Sequence, residues 1–312
     1  MTAQQKATLQ KLGPLLALVA ICIGLACMSP NFLTVSNSFD VMRQVSINAV
    51  IAFGMTLSIL LGGIDLSVGS ILAVSSVLAA MTMKGGHGAG LAVGIAILAG
   101  AGMGSLNGFA IANGKVAPFI ATLGTMTLLR GIALALSNGS PISGFSSDLF
   151  AMLGGGYIAR LIPVPVVLML SMFAVFWFVL TRTVFGRHVY ATGGNAEAAK
   201  LSGVNTDRVQ ILVYTISGAM AALAGVILAS RLDSAQPTAG AGYELDAITA
   251  VVLGGTSLAG GRGWIFGTLV GVLLIGVLNN GLNLMGVSAF YQQVVKGSVI
   301  LLAVLLDRGR KG

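Results

Sequence analysis

"LGGIDLSVGS" (Leu61–Ser70) sits between two long apolar runs. It places a carboxylate, Asp65, among three helix-weakening glycines, Gly62, Gly63 and Gly69. What that means depends on the solvent around it. The 312 residues are 56% hydrophobic and 8% charged, with a mean hydropathy of +0.95. A soluble domain carries about 25% charged residues, so this chain cannot cover a water-facing surface. The reading is a membrane protein. Its 44 glycines and 13 methionines fit, because small residues let membrane helices approach closely. A net charge of +8 would suggest nucleic acid in a soluble protein. Here no aromatic-basic interleaving supports that partner, and cytoplasmic loops of membrane proteins carry excess Lys and Arg. Cys22 and Cys27 lie in the first apolar run, so no disulfide framework is implied. That run is longer than a signal peptide's apolar region, and a retained first helix is expected.

A spanning helix needs about 20 mostly apolar residues. The pattern gives about ten: Gly13–Met28, Met42–Leu61, Gly69–Met83, Gly90–Ala112, Pro118–Ser137, Pro163–Leu180, Val209–Ala229, Leu245–Leu258, Trp264–Leu284 and Ala289–Leu306. The third and eighth are short, and either can be spanning or re-entrant. With the N-terminus cytoplasmic, eleven of the 17 Lys and Arg fall inside. Arg43, Lys84, Arg160 and Arg231 fall outside, and Arg130 and Lys296 within spans. Both termini are therefore expected in the cytoplasm of a bacterial inner membrane. The expected architecture is one all-α membrane domain, 1–312, with a cytoplasmic tail (1–12) and a cytoplasmic loop (181–208). The Ser/Gly/Pro-rich loop from Ser137 to Ile162 lies outside.

"LGGIDLSVG" (Leu61–Gly69) and "LGGTSLAGG" (Leu253–Gly261) share the pattern L-G-G-x-x-L-x-x-G. Paired interruptions in two halves point to a transport path; two glycine turns between packed helices would look the same. No P-loop, zinc-binding helix motif or nucleophile elbow occurs, so neither ATP hydrolysis, metal chemistry nor acyl transfer is expected. Of nine acids, all but Asp65 fall at expected span ends. A carrier so poor in intramembrane carboxylates draws energy from a partner.

"FGRHVYATGGNAEAAKLSGVNTDRV" (Phe185–Val209) is a soluble patch on the cytoplasmic side. It contains a short alanine-rich helix ending at Gly203, since alanine favours helix and glycine its C-terminal cap. Such a helix suits docking into a partner's groove. The segment resembles the E-A-A-type coupling loop of ABC importer permeases, as found in their ribose, xylose, arabinose and galactose branch. "GGIDLSVGS" and "SAQPTAGAGYELDAITAVVLGGTSLAGGRG" (Ser234–Gly263) are similar to that branch as well. "NGSPISGF" (Asn138–Phe145) and the stretch Gly276–Asp307 are most similar to its ribose permeases. The likeness runs from about Ser29 onward.

The resemblance implies a vitamin-B12-importer-like fold of about ten helices per subunit. It implies a homodimer, a periplasmic sugar-binding protein and a cytoplasmic ATPase. ATP and Mg then belong to that ATPase and no cofactor to this chain. The ATPase-coupling residues it implies are Gly194, Asn195, Glu197, Ala198, Ala199, Leu201, Ser202 and Gly203. The function implied is monosaccharide import, most closely of ribose. Another sugar or small signalling molecule, an ATP-independent facilitator and a scaffold are the alternatives.

An ionised carboxylate inside a bilayer costs several kcal/mol, and opened backbone survives only in protein or against water. Asp65 therefore either lines a path with Ser67 or caps the third helix; the cap is the preferred reading, with Gly62, Gly63 and Gly69 as the backbone breaks. Asn48, Asn107, Asn279, Asn280 and Asn283 are candidate path residues, since amides offer hydrogen bonds without a charge, or else join helices. Lys296, a further path candidate, is expected to face protein or water, and Arg130 to reach the outer interface. Lys84, Arg160 and Arg231 are candidate contacts for the binding protein.

Overall fold

Apolar periodicity becomes helix almost everywhere in the computed structural model, which describes residues 3–145, 147–159 and 161–309. The helices are α1 (Ala3–Met28), α2 (Val35–Leu60), α3 (Val68–Lys84), α4 (Ala89–Ala112), α5 (Pro118–Leu136), α6 (Asp148–Gly155), α7 (Val164–Arg182), α8 (Val184–Gly194), α9 (Ala196–Leu201), α10 (Thr206–Leu232), α11 (Tyr243–Leu253), α12 (Ile265–Leu284) and α13 (Ala289–Gly309). Among the described residues four two-residue strands accompany them: β1 (Ile142–Ser143), β2 (Tyr157–Ile158), β3 (Ile162–Pro163) and β4 (Ser234–Ala235). β1 pairs antiparallel with β4, and β2 with β3. Among the described residues, six helices are long and apolar enough to cross a membrane: α2, α4, α5, α7, α10 and α12. Gly13–Met28 and Val68–Lys84 are shorter apolar helices.

Burial sorts these helices. α2 is buried from Val45 through Leu60, and the C-terminal half of α10 and most of α12 are buried with it. α4, α5 and α7 lie outside this centre and expose apolar faces through Leu98, Leu106, Ile120, Leu128, Trp177 and Phe178. The most extensive helix contact is α4 on α10. Gly100, Gly104 and Gly108 repeat every fourth residue on one face of α4. A β-carbon on Gly104 would overlap the Tyr214 carbonyl, and one on Gly108 would stand 2.6 Å from Ile211 Cα. Small residues at this spacing let two backbones touch, which replaces the hydrophobic drive that lipid removes.

Both loops hold more structure than polarity and glycine content suggested. The loop after Ser137 contains α6 and two strand pairings. The loop after Thr181 contains two helices, because α8 carries its own cap: Thr183 Oγ1 accepts the Gly186 N–H at 3.2 Å. α11 ends at Leu253, five residues before the expected boundary.

Candidate coupling and translocation sites

α9 is built to stand at a surface. Asn195 Oδ1 accepts the Ala198 N–H at 2.9 Å and so starts the helix. Glu197 in the first turn complements the helix dipole. At the other end Gly203, at φ +86°, lets its own N–H reach Lys200 O and that of Val204 reach Ala199 O, both at 3.0 Å. This double bond pattern closes a helix when the residue after the cap is left-handed. The helix ends at Leu201 with Ser202 as cap, two residues short of the expected end at Gly203. Ala199 alone points inward; Glu197, Ala198, Ser202 and Leu201 are exposed, Leu201 to 91%. Gly194 is exposed as well. Beneath α9, Tyr190 donates its hydroxyl to Gly263 O at 3.0 Å, and burial pushes that phenol up, keeping it a donor.

The second site begins where α2 stops. Residues 61–67 are non-helical and run back alongside α10. Gly63 lies against Tyr214, Asp65 bonds Ser217, and Leu72 lies against Gly225. α3 therefore starts inside the protein. Asp65 is fully buried and receives three hydrogen bonds. Ser67 N–H and Ser67 Oγ donate to its Oδ1 at 3.1 and 2.6 Å, and Ser217 Oγ donates to its Oδ2 at 2.8 Å. Asn107 donates to Ser67 Oγ at 2.8 Å, and Thr125 Oγ1 donates to Asn107 Oδ1 at 2.6 Å. Thr122 reaches Ile64 O at 3.1 Å. The carboxylate ties the open segment to α10 directly, and Ser67, Asn107, Thr122 and Thr125 extend the tie to α4 and α5.

This corrects the cap reading. The residue at the N-cap of α3 is Ser67, whose side chain makes no capping bond. Asp65 lies two residues earlier and closes a turn on the Ser67 N–H, while its second oxygen bonds another helix. Gly69 is not a break either. It belongs to the first turn of α3, where a β-carbon would overlap Gly240 O and the Glu244 carboxylate.

The contact at Gly69 locates the second interruption. After β4 the chain turns into the bundle, so Gly240 meets α3 and α11 starts at Tyr243, after the N-cap Gly242 at φ +86°. Glu244 and Asp246, expected at an outer span end, are instead half-buried and buried. Lys296 pairs with Asp246 at 3.0 Å and so faces protein. Arg130 does not reach outward. It donates to Pro237 O and Ala239 O at 2.8 and 2.7 Å, fixing the inward segment. A guanidinium satisfies such bare carbonyls more cheaply than it crosses apolar surface.

The other amides divide. Asn280 exchanges hydrogen bonds with Asn37 at 2.7 and 3.1 Å, joining α12 to α2. Asn283 accepts from Gln292. Asn48 and Asn279 are buried. Lys84 is exposed, whereas Arg231 is half-buried, which reduces its reach toward a partner. Arg160 lies outside the described residues. Ser217, Thr125 and Glu244 were missed by sequence reasoning; a lone hydroxyl in an apolar helix has no distinctive pattern, and Glu244 looked like a surface acid.

The family model for the branched-chain amino acid transport system permease component matches residues 37–304. The chain belongs to this family. It is therefore a multi-pass inner-membrane permease, a transport component and not an enzyme. It is 56% identical to the ribose import permease protein RbsC of Bacillus subtilis (strain 168), over 96% of this chain and 93% of that one. It is 50% identical to RbsC of Escherichia coli (strain K12), over 98% and 96%. The D-allose transport system permease AlsC of the same strain is 41% identical, over 96% and 91%. No solved structure matches.

Proposed function

We infer that this chain is the membrane permease of an ATP-driven importer of ribose. The observation that carries this reading is the gradient of identity over nearly whole chains. It is 56% and 50% to ribose permeases, 41% to an allose permease and 39% to an arabinose permease. The fully exposed Leu201 on a capped surface helix supports a partner at α9, because an apolar side chain in water is stabilised by being covered. In this reading α9 docks an ATPase subunit that holds ATP and Mg, and this chain carries no cofactor. A periplasmic binding protein delivers the sugar to the opposite end, with Lys84 and Arg231 among its contacts. The assembly is a homodimer of vitamin-B12-importer type, each copy crossing the membrane about ten times with both termini cytoplasmic. The facing starts of α3 and α11, with Asp65, Ser67, Asn107 and Lys296 around them, lie beside the path. Discontinuous helices meeting inside the bundle are how membrane carriers place polar backbone at mid-depth.

The test is uptake of labelled ribose by cells lacking their own permease and expressing this one with its ATPase and binding protein. Ribose uptake that excess allose or arabinose fails to compete supports the reading. Uptake that survives an inactive ATPase would show a facilitator instead, and uptake of another sugar alone would reassign the substrate.

A further inference from the structure

Three glycine-containing segments meet backbone to backbone at the end of the bundle that carries α8 and α9. Gly193, in the last turn of α8, lies against the carbonyl of Leu60, the last residue of α2. A β-carbon on Gly193 would overlap that oxygen and stand 2.8 Å from Gly261 N. The same Leu60 oxygen accepts the Gly261 N–H at 2.8 Å. A β-carbon on Gly260 would stand 2.7 Å from Gly193 O and 2.9 Å from Gly62 N. One on Gly261 would stand 2.7 Å from Gly194 Cα.

Each segment leads to a different element. Gly193 and Gly194 immediately precede the Asn195 cap of α9. Leu60 and Gly62 open the segment that carries Asp65 into α3. Gly260 and Gly261 lie in the turn between α11 and α12. The two half-helices that meet at Gly69 and Gly240 are thus both tethered to the residues beside α9. Packed side chains absorb small shifts by changing rotamer; backbone against backbone has no rotamer to change, so a displacement passes on undiminished.

We propose that this glycine joint transmits movement of the docking helix α9 to α3 and α11, with Gly193 as the positioning residue at its centre. The proposal rests on α9 being the ATPase dock. It separates Gly193 from a glycine such as Gly124 in α5, whose β-carbon position meets nothing within 4 Å.

The experiment uses the reconstituted transporter: this permease with its ATPase and sugar-loaded binding protein. Gly193→Ala is expected to retain the ATPase and basal ATP hydrolysis. It loses stimulation by the loaded binding protein and at least ten-fold of ribose uptake. Gly124→Ala is expected to match the wild type in all four. Coupled uptake by Gly193→Ala within two-fold of wild type, or equal loss in Gly124→Ala, overturns the proposal. Should Gly193→Ala not assemble, hydrogen exchange on the wild-type complex decides. A non-hydrolysable ATP analogue must change protection of residues 58–68 and 254–264 together with 184–203. A change confined to 184–203 overturns the joint. Failure of the dock itself reads differently: Glu197→Arg would then keep the ATPase bound and stimulated.

Discussion

Leu61–Gly63 and Leu253–Gly255 share three letters, and both end a helix the same way, yet not at the same letter. In the first, Gly62 N–H bonds Ile59 O and Gly63 N–H bonds Ser58 O. In the second, Gly255 N–H bonds Val252 O and Thr256 N–H bonds Val251 O. The left-handed glycine is Gly62 in one and Gly255 in the other, at φ +80° and +92°. The structural repeat is therefore shifted by one residue from the alignment of letters. Beyond the caps the segments diverge. Asp65 and Ser257 each accept the N–H two residues on, at 3.1 and 3.3 Å. The turn at Ser257 closes on itself through Arg262 O, whereas Asp65 reaches α10 directly and α4 through Ser67. The same local chemistry gives an inward anchor in one half and a near-surface turn in the other. The difference lies in whether a second oxygen has a partner on another helix.

Five substitutions test that contrast. Asp65→Ala has the largest expected effect, since it leaves two hydroxyls and an N–H without their acceptor inside the protein. Each unpaired buried group costs about 1–3 kcal/mol, and both melting temperature and uptake should fall. Asp65→Asn keeps the oxygen for Ser67 and offers an N–H to Ser217, so at least half of uptake should remain. Near-zero uptake in a normally inserted Asp65→Asn protein would show that the charge itself is needed.

Gly254→Asn comes next. The letters pair Gly254 with Gly62, but a β-carbon on Gly254 would overlap the Gly267 carbonyl. Overpacking of this kind costs about 1–3 kcal/mol. Gly62→Asn should cost less, because asparagine tolerates left-handed backbone and its β-carbon would meet Ala259 O at an ordinary 3.4 Å. Equal melting temperatures for these two variants would restore the alignment of letters. Ser257→Ala has the smallest expected effect, a few tenths of a kcal/mol by comparison with exposed turn contacts. A loss matching that of Asp65→Ala would mean the two turns do the same work.

Much of this was legible in the chain. Apolar runs marked the helices, and the ends of α4, α5 and α12 fall within a residue of expectation, because transfer of a 20-residue segment into lipid is a sum over its own residues. Gly203 marked the end of α9 to within two residues for the same local reason. The inward course of 234–242 was not legible. Its polar residues read as an outer loop, and the side chain that holds two of its carbonyls, Arg130, comes from more than a hundred residues earlier in the chain.

The sequence by itself determined the solvent this protein lives in, the placement of most helices and the kinship with sugar permeases, since each rests on local composition or on long runs of matching residues. The tertiary structure alone decided what the individual glycines and carboxylates do. Gly62 and Gly69 stand in one decapeptide, but one is a left-handed cap and the other a close contact with Gly240. Asp65 and Asp246 are both buried, but one is held by hydroxyls and the other by Lys296. A glycine's role depends on which backbone approaches it, and a buried charge survives by whichever partner reaches it. Those partners come from distant parts of the chain, so folding alone brings them to the site.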